Sequence, residues 1–241
     1  MNTVVIIPTY NEIGSLPRQV DAVRAAVPHV HILVVDDASP DGTGRWAQDR
    51  AQTDAQVFVL ERSGKQGLGA AYRAGFAWAL ERGYDRVVEM DADGSHRAQD
   101  LAALLEQADQ ADLVIGSRWI RGGAVVNWPL HRKLLSTGAN RYVRLLLGLG
   151  VHDATAGYRV YDALMLRRLP LDQVESQGYC FQIDMTWRVV QAGGRVREVP
   201  ITFVERDAGA SKMSSAIIRE ALVKVTWWGM RRLVPGARRR G

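Results

Sequence analysis

Asp91 and Asp93 close an apolar run in RVVEMDADGSH, with only Ala92 between them. Like charges at that spacing repel, and a strand end gives them little shelter. Carboxylates are hard oxygen donors that suit Mg²⁺ or Mn²⁺. A divalent cation would remove the repulsion and let both groups face one diphosphate. The alternative is a solvated turn, or a helix start capped by Ser95. Two other apolar runs also end in acids: PTYNE carries Glu12, and VVDDASPDGT carries Asp36 and Asp37. In an open parallel sheet, ligands bind outside the carboxyl ends of the strands. Acids at several such ends favour one shared crevice, and the position of D-A-D after an apolar strand favours metal over a cap.

The elements that must position these acids alternate along the first half. Strands are expected at 3–8, 31–37, 56–61, 86–93 and 111–117, as β-branched apolar runs. Helical spacing joins Leu16, Val20, Val23 and Val27, and again Leu101, Leu104, Leu105 and Ala108. This alternation predicts an α/β fold, a mostly parallel sheet flanked by helices. The glycines of KQGLGAAYRAG predict a helix packed closely on the sheet, with a phosphate role for Lys65 as the lesser reading. Further on, 121–130 reads as a loop, a helix runs to about Gly148, HDATAGYR is a loop, and a helix spans about Tyr179 to Ala192. VREVPITFVER reads as a strand. Residues 1–213 are expected to form one domain carrying these acids, and 214–241 an amphipathic helix with a basic tail.

Several chemistries are excluded. There is no G-x-x-x-x-G-K-[ST] loop, and GKQGLG neither spells G-x-G-x-x-G nor follows the first strand. The single cysteine, Cys180, allows no intrachain disulfide and no four-cysteine zinc site. No serine sits in G-x-S-x-G, and the histidines lack metal-ligand spacing. His96, beside D-A-D, is either a support for those carboxylates or polar surface. Trp128, in a Gly/Pro loop, is the tryptophan least easily explained as core. The N-terminus does not read as a signal peptide, and no run approaches the about 20 apolar residues that span a bilayer. Net charge is +5, yet from Ala208 onward eight basic residues face one acid, so the positive charge belongs to the C-terminal segment. Anionic surfaces are its expected partner.

PTYNE, VVDDASPDGT and MDADGSH, in that order and spacing, resemble the family 2 glycosyltransferases with the GT-A fold. GSRWIRGG, NWPLHRKLLSTGAN, DATAGYRVY, GYCFQIDMTWR and FVERDAGASK resemble the polyprenol-phosphate mannosyltransferases within it, also called dolichol-phosphate mannose synthases. Within these the chain resembles the actinobacterial polyprenol monophosphomannose synthases. The resemblance spans about residues 1–215. It implies GDP-mannose as donor, a polyprenyl phosphate as acceptor and Mg²⁺ or Mn²⁺ as cofactor. It also implies roles. Pro8, Tyr10, Glu12, Val35 and Asp37 would hold the guanosine. Asp91, Ala92 and Asp93 would hold metal and diphosphate. Arg118, Arg132, Arg206 and Lys212 would meet the donor and acceptor phosphates, with Asp91, Asp93, Arg118 and Arg206 central to catalysis. Where some relatives place a glutamine as third metal ligand, this chain has Ser95. Where some have a lysine, it has Gln182.

The chemistry agrees with the absence of an obvious general base. A phosphate monoester has a second pKa of about 6, so the acceptor is already a dianionic nucleophile at neutral pH. The enzyme's task is to bring two anions together. Metal would neutralise the departing diphosphate and arginines the incoming phosphate. The family implies inversion at the anomeric carbon. Each arginine also has a plainer reading: Arg118 as partner of a nearby acid, Arg132 as a helix-start surface residue, Arg206 and Lys212 as solvated loop charges. A UDP-glucose-dependent transferase and a non-catalytic nucleotide-sugar or membrane-surface module are the competing functions. The face of Ile218, Leu222, Val225 and Trp228, widened by Trp227 and Met230 and flanked by basic residues, predicts peripheral attachment to the cytoplasmic face of the membrane. Nucleic acid is not an expected partner; a membrane protein is a further candidate.

Overall fold

Alternate residues of a strand point to opposite faces, and in TVVIIPT both sets are apolar. In the computed structural model, which describes residues 1–205 and 215–233 (side chains of 215–218 and 233 excepted), this strand, β1 (Thr3–Thr9), therefore feeds two cores. Val4 and Ile6 pack on one side with Phe76 and Phe181. Val5 and Ile7 pack on the other with Leu16, Val20 and Leu101. Cover on both faces explains why the strands read as near-continuous apolar runs.

The remaining strands are β2 (His31–Asp36), β3 (Val57–Glu61), β4 (Arg86–Glu89), β5 (Leu113–Ser117), β6 (Ala124–Val126), β7 (Arg159–Asp162), β8 (Val196–Pro200) and β9 (Thr202–Val204). The helices are α1 (Leu16–Ala26), α2 (Thr43–Thr53), α3 (Leu68–Glu81), α4 (Leu101–Ala108), α5 (Leu130–Leu147), α6 (Ala163–Arg168), α7 (Gly178–Gln191) and α8 (Ser215–Leu233). Seven strands form the main sheet in the order β3-β2-β1-β4-β7-β5-β8, while β6 and β9 pair separately. All main-sheet pairings are parallel except those of β7, which runs antiparallel between β4 and β5.

Sequence and structure differ at identifiable points. β7 is a strand where none was expected: its four residues, Arg-Val-Tyr-Asp, show no apolar alternation, yet its first three are buried. The strand expected over VREVPITFVER divides. Pro200 has no N–H to continue a ladder, and after Ile201 the chain leaves the main sheet so that β9 pairs with β6, inside the expected 121–130 loop. β4 stops at Glu89, so Asp91 and Asp93 sit in the turn beyond it, with Gly94 at φ +78°.

The glycine-rich start of α3 packs as expected. A Cβ on Gly75 would lie 2.8 Å from the Ile6 side chain, and one on Gly69 would lie 2.7 Å from the Ser176 carbonyl oxygen. At the other end of the chain, α8 docks on α5 and α7. Val225 and Trp228 are buried, and Trp228 stacks on Trp187 at 5.3 Å between ring centroids. The helix face expected to meet a membrane is thus divided. Val225 and Trp228 serve the protein core, whereas Leu222, Trp227 and Met230 are exposed.

Overpacking a close contact costs about 1–3 kcal/mol. Gly69→Val should therefore lower the thermal midpoint measurably. Gly138→Ala, in α5 with no atom within 4 Å of its new Cβ, should hold or raise it. Calorimetry of the two variants checks the packing.

Candidate active site

The turn after β1 is held by side chains from the segment after β2. Asn11 adopts φ 59°. Its N–H donates to Ser39 Oγ (3.0 Å), that of Glu12 to Thr43 Oγ1 (3.0 Å), and that of Ile13 to Asp41 Oδ2 (3.1 Å). Asp36 is structural: Oδ1 accepts from Thr9 Oγ1 (2.8 Å) and Ser39 Oγ (2.6 Å). Asp37 faces the crevice. Burial raises its pKa, opposed by Arg62, whose Nη1 donates to Oδ1 at 2.6 Å. Lys65 sits over the Tyr10 ring, 4.4 Å from its centroid.

These loops and the turn after β4 enclose a cavity of about 430 Å³, with Pro8, Tyr10, Asp37, Asp91, Asp93 and Ser95 among its walls. The structure thus brings five of the expected donor-site residues, Pro8, Tyr10, Asp37, Asp91 and Asp93, to one cavity. Val35 and Ala92 are buried and stand behind the wall. Glu12 lines a neighbouring cavity, which it shares with Asp93 and Glu205. Ser95 is buried, and its N–H donates to Asp93 Oδ1 (3.0 Å).

His96 is a support, not surface. It is 2% exposed, and its Nδ1 accepts the Asp91 N–H (3.0 Å), which fixes the Nε2–H tautomer. Burial lowers its pKa against the pull of Asp91 and Asp93.

Arg118 pairs with an acid that sequence reading did not assign. Asp153 Oδ2 accepts from Arg118 N–H (3.0 Å) and Nε (2.7 Å), and Oδ1 from Nη2 (2.7 Å). Nη2 also donates to Thr155 Oγ1 (2.9 Å), and Asn140 Nδ2 reaches the same hydroxyl (3.0 Å). Burial alone would raise the pKa of Asp153, but Arg118 holds it below the usual carboxylate range. Asp153 lies in DATAGYR, a segment whose composition reads only as loop. The usable signal was an acid among small residues in a chain rich in arginine.

Arg132 is a half-shielded side chain rather than a solvated one. It stacks on Trp128, 4.1 Å from the ring centroid, and forms an ion pair with Glu205. That stacking explains Trp128, which is buried and also meets Trp119 and Phe203 edge-on. Arg206 and Lys212 lie outside the described residues.

Beside the first cavity runs a second, also about 430 Å³, between α5, α7 and α8. Its walls include Leu134, Leu135, Val143, Ile183, Leu222 and Val225. Arg132, Thr155 and Tyr179 line both cavities. The pocket with the paired carboxylates and the apolar groove therefore meet at a shared wall, and an arginine stands on it.

A carboxylate-lined pocket at the carboxyl edge of a mixed sheet, with Asp-x-Asp beyond the fourth strand, fits the GT-A class of fold. The chain belongs to glycosyl transferase family 2, whose model matches residues 4–169. It is 57% identical over 240 residues to an undecaprenyl-phosphate mannosyltransferase of Micrococcus luteus, covering 100% of this chain and 99% of that protein. It is 57% identical over 238 residues to a polyprenol monophosphomannose synthase of Mycolicibacterium smegmatis, covering 98% and 90%. Among solved structures, glucosyl-3-phosphoglycerate synthase of Mycobacterium tuberculosis superposes with TM-score 0.70 at 18% identity, over 95% of this chain and 80% of that one. A mannosyltransferase of Pyrobaculum calidifontis, solved with GDP-mannose and Mn²⁺, gives 0.59 at 20% identity, over 100% and 65%.

Removing one partner of a buried ion pair costs about 3–5 kcal/mol. Asp153→Ala should lose that much at neutral pH by leaving Arg118 unpaired. Because the folded-state pKa of Asp153 is depressed, its contribution is present above the unfolded value of about 3.9 and fades as pH falls below it. Denaturant titrations of wild type and variant at neutral and acid pH should therefore converge on acidification.

Proposed function

We propose that the chain transfers mannose from GDP-mannose to a polyprenyl phosphate, with inversion, releasing GDP. The observation that carries this reading is the junction of the carboxylate-lined pocket with the apolar groove. A nucleotide-sugar needs only the first. An acceptor that is phosphate at one end and hydrocarbon at the other needs both, meeting at a cation. The full-length likeness to proteins named for this transfer supports the same acceptor class.

The donor pocket fits a divalent metal. Among its described lining residues the acids Asp37, Asp91, Asp93 and Glu205 outnumber the cations Lys65 and Arg132. A diphosphate entering such a wall meets net repulsion unless a cation comes with it. Among the described residues no three His, Cys, Asp or Glu converge on one metal position. Asp91 and Asp93 would therefore hold Mg²⁺ or Mn²⁺, with the donor's phosphate oxygens and water completing the shell. When bound, the metal would neutralise charge on the departing diphosphate.

The protein's own groups do the rest. Asp37, held by Arg62, presents a carboxylate to the base. Tyr10 and Pro8 give that end of the pocket its wall. Arg132 faces the acceptor phosphate, which competes with Glu205 for it. Arg118, neutralised by Asp153, acts mainly as a shaped donor rather than as net charge. The acceptor oxygen forms the new bond to the anomeric carbon as the bond to GDP breaks, and no side chain need take a proton. The hydrocarbon follows the groove between α5 and α8. Those helices also expose Leu130, Leu134, Leu145, Val223, Trp227 and Met230, with Arg141, Arg144 and Arg231 along them. No helix among the described residues is long and apolar enough to cross a membrane. Peripheral attachment at the cytoplasmic face, with these side chains in the interface, would bring groove and lipid together.

Incubation with labelled GDP-mannose or UDP-glucose, polyprenyl phosphate and Mg²⁺, followed by extraction of lipid-linked sugar, tests the reading. GDP-mannose should be the donor used. Asp91→Ala or Asp93→Ala should cut turnover by about 10²–10³ or more, and chelator should mimic them. Full activity in excess EDTA would sink the metal assignment. The groove is tested separately. Leu135→Asp should raise KM for long polyprenyl phosphates more than for a short soluble analogue; an equal rise for both would place the hydrocarbon elsewhere.

A further inference from the structure

We infer that Glu89 and Arg159, a buried pair facing each other across the β4–β7 ladder, are positioning residues. They hold the metal-side strand end and the arginine-side loop in register. The inference rests on the proposed transfer reaction.

The two residues are direct ladder partners, and both are 0% exposed. Arg159 spends its guanidinium on neutral acceptors. Nε donates to the Ala156 carbonyl (2.7 Å), Nη2 to that of Ala154 (2.8 Å), and Nη1 to that of Gln182 (2.8 Å) and to the Tyr161 hydroxyl (3.2 Å). Carbonyls satisfy its N–H groups but do not neutralise its charge. Glu89 lies opposite as its ladder partner, beside the Gln182 side chain and the Tyr161 hydroxyl. A polar pair this deep is a poor way to gain stability, since apolar residues of similar volume often do as well or better. What it offers is geometry.

The geometry reaches both halves of the site. Ala154 and Ala156 flank Thr155, and Asp153 is next to them, so Arg159 fixes the loop that seats Arg118. The same loop backs the metal side. A Cβ on Gly157 would lie 3.4 Å from His96 Cε1 and 3.8 Å from Gln182 Nε2, and His96 in turn receives the Asp91 N–H. Glu89 ends β4, the strand that leads into Asp91 and Asp93. One pair therefore ties the carboxylate turn, the Asp153 loop and α7 to a common origin. Its effect is exerted through those groups and not on substrate directly.

The test compares wild type with E89M/R159M, in which an apolar pair replaces the polar one, and with R159K, which keeps the cation but loses the fork that spans the carbonyls. Thermal midpoint, GDP affinity, and kcat and acceptor KM are measured for each. Misplacement by about 1 Å commonly costs about 100-fold in rate. Both variants should stay folded and bind GDP within about threefold of wild type, yet lose about 10- to 100-fold in kcat. If either folded variant keeps wild-type kcat and acceptor KM, the pair is only structural and the inference falls. It falls equally if the activity loss follows the fraction unfolded across the set. A wild type that transfers no mannose would instead refute the reaction, a result distinguishable from either.

Discussion

Repulsion between like charges is the constraint on which this site is built. The strand ends concentrate carboxylates around one cavity, and the chemistry assigned to it then adds a diphosphate and a phosphate monoester. The protein meets this by giving each acid a defined neighbour. Asp36 is absorbed into the turn by Thr9 and Ser39, Asp37 is held by Arg62, and Asp153 is spent on Arg118. Asp91 and Asp93 line the cavity wall, Asp91 bound to His96 through its N–H and Asp93 to Ser95 through Oδ1, and on the proposed reading a cation brought with the donor would offset their charge.

Arginine is used in more than one way. Arg159 is fully buried and bonds to neutral acceptors, so it organises backbone. Arg118 is nearly as deep and shares its charge with Asp153. Arg132 lies at the junction of the two cavities, stacked on an indole and paired with a half-buried acid. Desolvation strengthens a cation–π contact to about 2 kcal/mol or more, so Trp128 can hold Arg132 in place while its ionic partner changes. This gradation from organiser to charge donor follows burial and partner, not residue type. It is why net charge says little about which arginine meets substrate.

The same gradation explains what the sequence discloses. The parallel strands and the acids beyond them are legible because burial on both faces imposes apolar runs, and because ligands gather where such runs stop. β7 is not legible: its outward signals are an arginine and an aspartate, and both are there for partners distant in the chain, Glu89 and Arg86. Asp153 escapes for the same reason. A residue whose meaning lies in a contact 35 positions away leaves no periodic trace. Trp128 could be marked as unusual for its loop, yet its function as a platform needed Arg132 and Phe203 to be placed in space. The C-terminal helix was legible as amphipathic, but periodicity alone cannot say which apolar residues face protein.

That last ambiguity bears on how an enzyme whose described helices do not cross a membrane would reach a lipid. An amphipathic helix facing only the bilayer would anchor the protein without contributing to the site. A helix facing only the core would contribute to the site without an anchor. In α8 the residues are interleaved: Val225 and Trp228 dock it on α5 and α7, Leu222 and Val225 line the groove, and Trp227 and Met230 remain exposed beside it. On the proposed reading, the groove then runs from the interface to Arg132 along one helix that belongs to both. The acceptor's hydrocarbon need not leave an apolar environment while its phosphate travels to the donor, so the cost of exposing isoprene units to water, about 0.8 kcal/mol per CH₂, is avoided at every step.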